Sequence, residues 1–198
     1  MAKNKPQIRF QGHQEEWEER QIQDVCNVNT GDKNTQDKND RGKYPFYVRS
    51  QKVERIDSYT YDGEAILTAG DGDIGKVFHY ANGKIGVHQR VYMLTDILCQ
   101  SSYLYHYFSS HLFDRVSKMS AKNTVDSIRR EMITEMPLSI PKDSLEQEKI
   151  GEFFRNLDEL IEAKEQELEK LRQIKLALLD GMFPSDEPDK LNRGGITY

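Results

Sequence analysis

Little of this chain is apolar. Hydrophobic residues make up 36% of its 198 positions, and the mean hydropathy is -0.79. A single compact core usually draws on a richer share, so part of the chain must be surface or an elongated, solvated element. No run of 18 apolar residues occurs, which excludes a membrane-spanning helix. The N-terminal MAKNKPQIRF has no apolar stretch of the kind that marks a secretion signal. Only two cysteines are present, Cys26 and Cys99, without metal-ligand or redox spacing. They are expected to be reduced thiols in a cytoplasmic protein. The six prolines include no adjacent pair, so the Asp/Asn-Pro-Pro-aromatic loop of nucleic-acid amino-methyltransferases is missing. Nor is there a basic excess. Lys and Arg number 28 against 33 Asp and Glu, a net charge of -5, which excludes a uniformly basic coat.

What is there is unevenly distributed. Residues 41–133 carry 13 basic and 10 acidic side chains, a net of +3. Residues 142–183 carry 7 and 11, a net of -4. The middle is therefore mildly basic and the later part acidic. Trp17, Ile22, Val25 and Val28 begin the apolar spacing. NTGDKNTQDKNDRGK, residues 29–43, has nothing to bury and reads as an exposed loop. Residues 44–48 are strand-like. Residues 64–94 read as strand, glycine turn, strand, hairpin turn at Asn82-Gly83, strand, because Asn-Gly tolerates positive φ at both turn positions. From Ser101 the period changes to three and four, predicting an amphipathic helix to about Met119. A short helix is expected within 128–136, and Pro137 to Pro141 is expected to be extended.

The last element is the clearest. Asp143 or Ser144 can cap a helix start. Apolar residues then follow at Ile150, Phe154, Leu157, Leu160, Ile161, Leu168, Leu171, Ile174 and Leu178. The helix would run roughly 54 Å at 1.5 Å per residue. A narrow apolar stripe with charged flanks calls for a partner helix. Its drift between 7- and 11-residue repeats predicts a weakly supercoiled pair. The tail from Pro184 is polar.

Several chemistry motifs fail on inspection. Gly70, Gly72 and Gly75 spell GxGxxG, but a β-type run follows where a dinucleotide site needs a helix, and Asp71 and Asp73 would repel phosphate. Residues 37–42 resemble a calcium loop, yet Arg41 stands at a ligand position and Val48 at the twelfth. Glu162-Ala163-Lys164 lies on the acidic helix without the upstream Pro-Asp of a nuclease. The scattered histidines show no ligand spacing, with His79 and His88 expected to straddle the hairpin. No metal or cofactor is expected. What remains is a basic, aromatic-rich middle with Lys43, Tyr44, Arg49, Lys52, Lys76, His88, Gln89, Arg90, Lys118, Lys122 and Asn123 in or near loops. Arg and Gln suit base edges and Lys suits phosphates.

Four stretches together resemble one half of a type I restriction-modification DNA-specificity subunit. They are PQIRFQGHQEEWEERQIQDV (6–25), ILTAGDGDIGKVF (66–78), MPLSIPKDSLEQEKIGEFFRNLDELI (136–161) and LEKLRQIKLALLDGMF (168–183). The third is the most specific, with Pro137, Pro141, Glu146, Gln147, Ile150, Leu157 and Asp158 matching the start of the family's conserved spacer. The resemblance implies an α+β fold. A target-recognition domain with twisted β-structure and short helices (1–141) would precede a long spacer helix (142–183) that forms an antiparallel coiled coil, then a tail (184–198). It also implies a non-enzymatic chain that binds double-stranded DNA and scaffolds separate modification and restriction subunits. Family members normally carry two recognition domains and two spacers, whereas this sequence has one of each. It is therefore expected to homodimerise through residues 145–180 and to read a symmetric, interrupted site. Two other readings stay open: a silent or regulatory half-subunit that pairs with full-length subunits, and a metal-dependent nuclease using Asp71 and Asp73.

Overall fold

The computed structural model describes residues 5–119 and 127–183. Its elements in chain order are β1 (Glu18–Gln21), β2 (Asn27–Thr30), β3 (Tyr44–Tyr47), β4 (Glu54–Ile56), β5 (Tyr61–Ala69), β6 (Phe78–Val87), β7 (Val91–Thr95), α1 (Ser101–Met119), α2 (Arg130–Thr134), β8 (Pro137–Ile140) and α3 (Ser144–Met182). Short 3-10 turns occupy Ile22–Asp24 and Thr35–Asp37. The fold is α+β, as expected. The chain divides into two units, one up to Arg155 and one from Asn156 onward.

In the first unit, six strands form a sheet in the order β2-β7-β5-β6-β3-β4. β5 is central and antiparallel to both β6 and β7. Its residues 65–69 are buried on both faces, which explains why they read as an apolar run interrupted only by Thr68. Ile66 faces the core made by Ile22, Val25, Leu94, α1, α2 and β8. Ala65 and Leu67 face a second core with Ala81, Ile85, Val87, Val91 and Met93. Buried Thr68 is satisfied by donating from Oγ1 to the Val77 carbonyl at 3.0 Å. β1 and β8 pair separately. Pro137 stands at the first position of β8, where a missing N–H is tolerated.

The hairpin expected at Asn82-Gly83 does not form. β6 runs through both residues, with Glu64 opposite Asn82 and Gly63 opposite Gly83. Gly83 uses its positive φ of 98° inside the strand, because pairing with β5 continues on both sides and a reversal there would break the ladder. The reversal falls instead at His88-Gln89-Arg90, where the Val91 N–H donates to the His88 carbonyl at 2.9 Å. His79 therefore lies near the start of β6 and His88 just past its end, not across a hairpin. β6 and β7 flank β5 on opposite sides, yet three residues join them. A link this short requires the sheet to coil, and the second core fills the inside of the coil.

α1 buries Tyr103, Leu104, Phe108, Leu112 and Val116, the face given by its period. The start of α3 is locked onto this unit. The Asp143 Oδ1 accepts from the Leu145 N–H at 3.0 Å and caps the helix. Glu146, 1% exposed, receives a two-pronged bond from Arg9, with Nε–Oε1 2.6 Å and Nη2–Oε2 2.8 Å. The Gln147 amide donates to the Pro141 carbonyl at 2.7 Å and accepts from the Gln100 N–H at 3.1 Å. Gly151 sits so close to Ser102 that an added Cβ would lie 2.1 Å from its Oγ. Ile150 is half-buried against the main core, so its apolar surface is already partly used within the chain.

The second unit is the rest of α3. Along it Leu157, Leu160, Ile161, Leu168, Leu171, Ile174 and Leu178 are all exposed, at 38% to 57%. Its charged side chains pair along the helix, as in Lys164–Glu167 at 2.8 Å.

Candidate nucleic-acid interface

The loop that follows β5 begins with Gly70, where an added Cβ would meet the Arg90 carbonyl at 2.9 Å. This close approach lets the Gly70 N–H donate to the Arg90 carbonyl at 2.8 Å. It sets Asp71 beside the His88–Arg90 turn. Gly72 and Gly75 both have positive φ, and the loop leads into β6, not into a helix. The GxGxxG spelling is thus a tight connection between strands.

Asp71 is bound by two arginines. Arg49 donates to its Oδ1 at 2.9 Å and Arg90 to its Oδ2 at 2.7 Å. The carboxylate side chain is 14% exposed, against 45% for Arg49 and 62% for Arg90. Burial pushes the Asp71 carboxyl up, but the Arg90 and Arg49 guanidiniums outweigh it and hold the group below the usual carboxylate range.

His88 is buried beneath this group. Its Nδ1 accepts from the Arg90 N–H at 3.1 Å, which leaves Nε2 to face the Thr35 hydroxyl at 3.4 Å. Burial lowers its pKa, with Arg49 adding to the effect, so the ring is a neutral hydrogen-bonding post. Asn34, Thr35, Gln36, Arg49, His88, Gln89 and Arg90 line a cleft of about 420 Å³. Four of the expected DNA-contacting residues, Arg49, His88, Gln89 and Arg90, come together here.

The others are placed elsewhere. Lys43 lies 5.2 Å from the Tyr44 ring centroid, and Tyr44 meets Tyr59 edge-on at 5.4 Å, forming a separate cation–aromatic group with Lys84 over Tyr59 at 5.0 Å. Lys52 pairs with Glu54 at 3.2 Å and Lys76 with Asp73 at 3.6 Å. Lys118 is exposed in the last turn of α1. Lys122 and Asn123 lie outside the described residues. The sequence reading missed Asn34, Thr35 and Gln36, and it weighed Asp71 as a group repelling phosphate and as a metal ligand, not as a partner of arginines. The run 29–43 carried no periodic signal, and its role here depends on long-range bonds. One of these is the Gln89 N–H donating to the Lys33 carbonyl at 2.8 Å.

Catalytic chemistry finds little to work with at Asp71. Both of its oxygens are engaged by guanidiniums, and Asp73 faces Lys76. Among the described residues no group of three His, Cys, Asp or Glu side chains could hold a metal ion. No described helix is long and apolar enough to cross a membrane. Cys26 and Cys99 are free, and burial pushes their thiols up to about 12 and about 11.

Known proteins bear on this geometry. The specificity subunit of the type I restriction enzyme EcoDI from Escherichia coli is 27% identical over 159 residues, covering 80% of this chain and 35% of that protein. The solved S subunit of the type I restriction-modification system of M. genitalium superposes with a TM-score of 0.63 at 21% identity, covering 86% of this chain and 46% of that one. The HsdS subunit of Thermoanaerobacter tengcongensis gives 0.52 at 15%, covering 92% and 48%. The chain thus spans about a third of the curated relative and about half of each solved subunit. Residues 14–173 match the family described as the type I restriction modification DNA specificity domain. With the match running from before β1 to deep within α3, the chain belongs to that family.

Proposed function

We propose that this chain is a sequence-specific DNA-binding specificity subunit of a type I restriction-modification system. Residues 1–141 would form the target-recognition domain and 142–183 the spacer helix; the tail expected at 184–198 lies outside the described residues. The observation that carries this reading is the family match over residues 14–173. The cleft supports it locally, because exposed Arg49, Gln89 and Arg90 offer the donors that base edges and phosphates accept. The chain's role is binding and not catalysis: it selects the site, and separate modification and restriction subunits act there. One copy reads one half of a split target.

The exposed stripe from Leu157 to Leu178 supports pairing with the same helix of a second copy. An antiparallel pair has two-fold symmetry, so the two readers would face a symmetric, interrupted site. Methylome sequencing of a host carrying this chain with its modification subunit tests the whole reading. A symmetric, bipartite methylated motif that disappears on deletion is expected. Methylation unchanged by deletion would overturn it.

A further inference from the structure

Electrostatics alone does not account for Asp71. A surface that only attracts phosphate gains from every uncompensated cation. Here a carboxylate between Arg49 and Arg90 reduces the local charge from two positive to one. What it adds is orientation. A free arginine must surrender its rotamer freedom on binding, whereas one already held by a carboxylate has surrendered it in the folded protein. The holder is itself fixed. The Gly70 N–H to Arg90 carbonyl bond at 2.8 Å joins the backbone on either side of the ion pair. Below it, buried His88 takes the Arg90 N–H at 3.1 Å. The loop and the turn that carry Asp71 and Arg90 are thus tied together by backbone hydrogen bonds, the kind of support that precise recognition needs. Arg90 engages Asp71 through Nη1 and remains the most exposed of the three.

We propose that Asp71 is a positioning residue that presents Arg90, with Arg49 beside it, as a base-reading fork for a guanine edge in the major groove. Guanine offers two neighbouring acceptors, N7 and O6, that match a planar guanidinium. A phosphate accepts the same fork but carries no sequence information, so the two are told apart by whether a base pair is selected. The inference rests on the DNA-reading role proposed above.

The test selects duplexes from a random-sequence double-stranded DNA library, using the full chain with its modification subunits. Wild type is compared with Asp71→Asn and Arg90→Lys, and the salt dependence of binding is measured on the selected duplex. Wild type should select a G·C pair at a fixed position. Both variants should lose that preference by about tenfold and keep the rest of the motif. Arg90→Lys keeps its charge, so its salt slope should stay at the wild-type value. Unchanged preference in Asp71→Asn would mean that the carboxylate only subtracts charge, and would overturn the inference. So would a wild-type motif with no G·C pair that responds to Arg90→Lys. If wild type selects no sequence at all, the DNA-reading role itself falls.

Discussion

Arg9 and Glu146 lie 137 residues apart in the chain and meet through two parallel hydrogen bonds of 2.6 and 2.8 Å. Glu146 stands in the first turn of α3 and is almost fully buried. The pair ties the N-terminal segment to the base of the helix. Arg9→Ala would leave a buried carboxylate without its partner. A fall of several degrees in Tm is expected, read by differential scanning calorimetry, with partial recovery in Arg9→Lys because the fork is lost and the charge kept. An unchanged Tm would mean that the pair contributes nothing to docking.

Two glycines of α3 should respond in opposite directions. Alanine is the better helix former at both. At Gly151, however, the new Cβ would lie 2.1 Å from Ser102 Oγ and 2.8 Å from the Tyr103 nitrogen. Gly151→Ala should therefore destabilise by about 1 to 3 kcal/mol. Nothing lies within 4 Å of the corresponding point at Gly181, so Gly181→Ala should stabilise by about 0.5 kcal/mol. Urea titrations of the two variants decide the matter.

The spacer stripe makes a prediction about assembly. Leu157→Asp or Leu171→Asp would place a charge in the apolar seam of the proposed helix pair, where it finds no partner. Sedimentation or light scattering at micromolar concentration should give twice the chain mass for wild type and the single-chain mass for each variant. A wild-type monomer would remove the homodimer from the proposal.

Stability should fall on mild acidification. Burial holds both His79 and His88 below the ordinary imidazole value. The unfolded chain takes up their protons as pH drops through about 6.5, while the folded chain resists until its lower values are reached. The unfolded state then binds more protons, so stability declines with falling pH in that window. The urea midpoint should be lower at pH 5.5 than at pH 7.5. The His79→Gln/His88→Asn double variant should show a smaller difference. An equal difference would assign the dependence to other groups.

The helices were legible because each declares its own period. α1 and α3 appear where three- and four-residue spacing begins, and Asp143 caps α3 as its side chain suggests. β5 was legible as the first strand expected within 64–94, although it begins earlier, at Tyr61. Asn82-Gly83 misled because a local preference for positive φ is met equally well by a bend inside a paired strand, and only the partner strand decides between them. At the cleft, Arg49, His88, Gln89 and Arg90 were singled out by side-chain type and loop placement, and the fold brings the four together. The two arginine partners of Asp71 were not legible, since they lie 22 and 19 residues away. Thr35 joins the group through a contact spanning 53 residues. Such pairings are created by the coiling of the sheet and leave no periodic trace.

The three residues between β6 and β7 both line the cleft and form the shortest tie in the coil. Exchanging Gln89 for another side chain would alter what the cleft touches and leave its backbone bonds in place. Adding a single residue would slacken the tie, free Gly70 from Arg90 and loosen the interior packed around Val87 and Val91. The cleft can therefore acquire a new preference by substitution, whereas a change in loop length would cost it its shape.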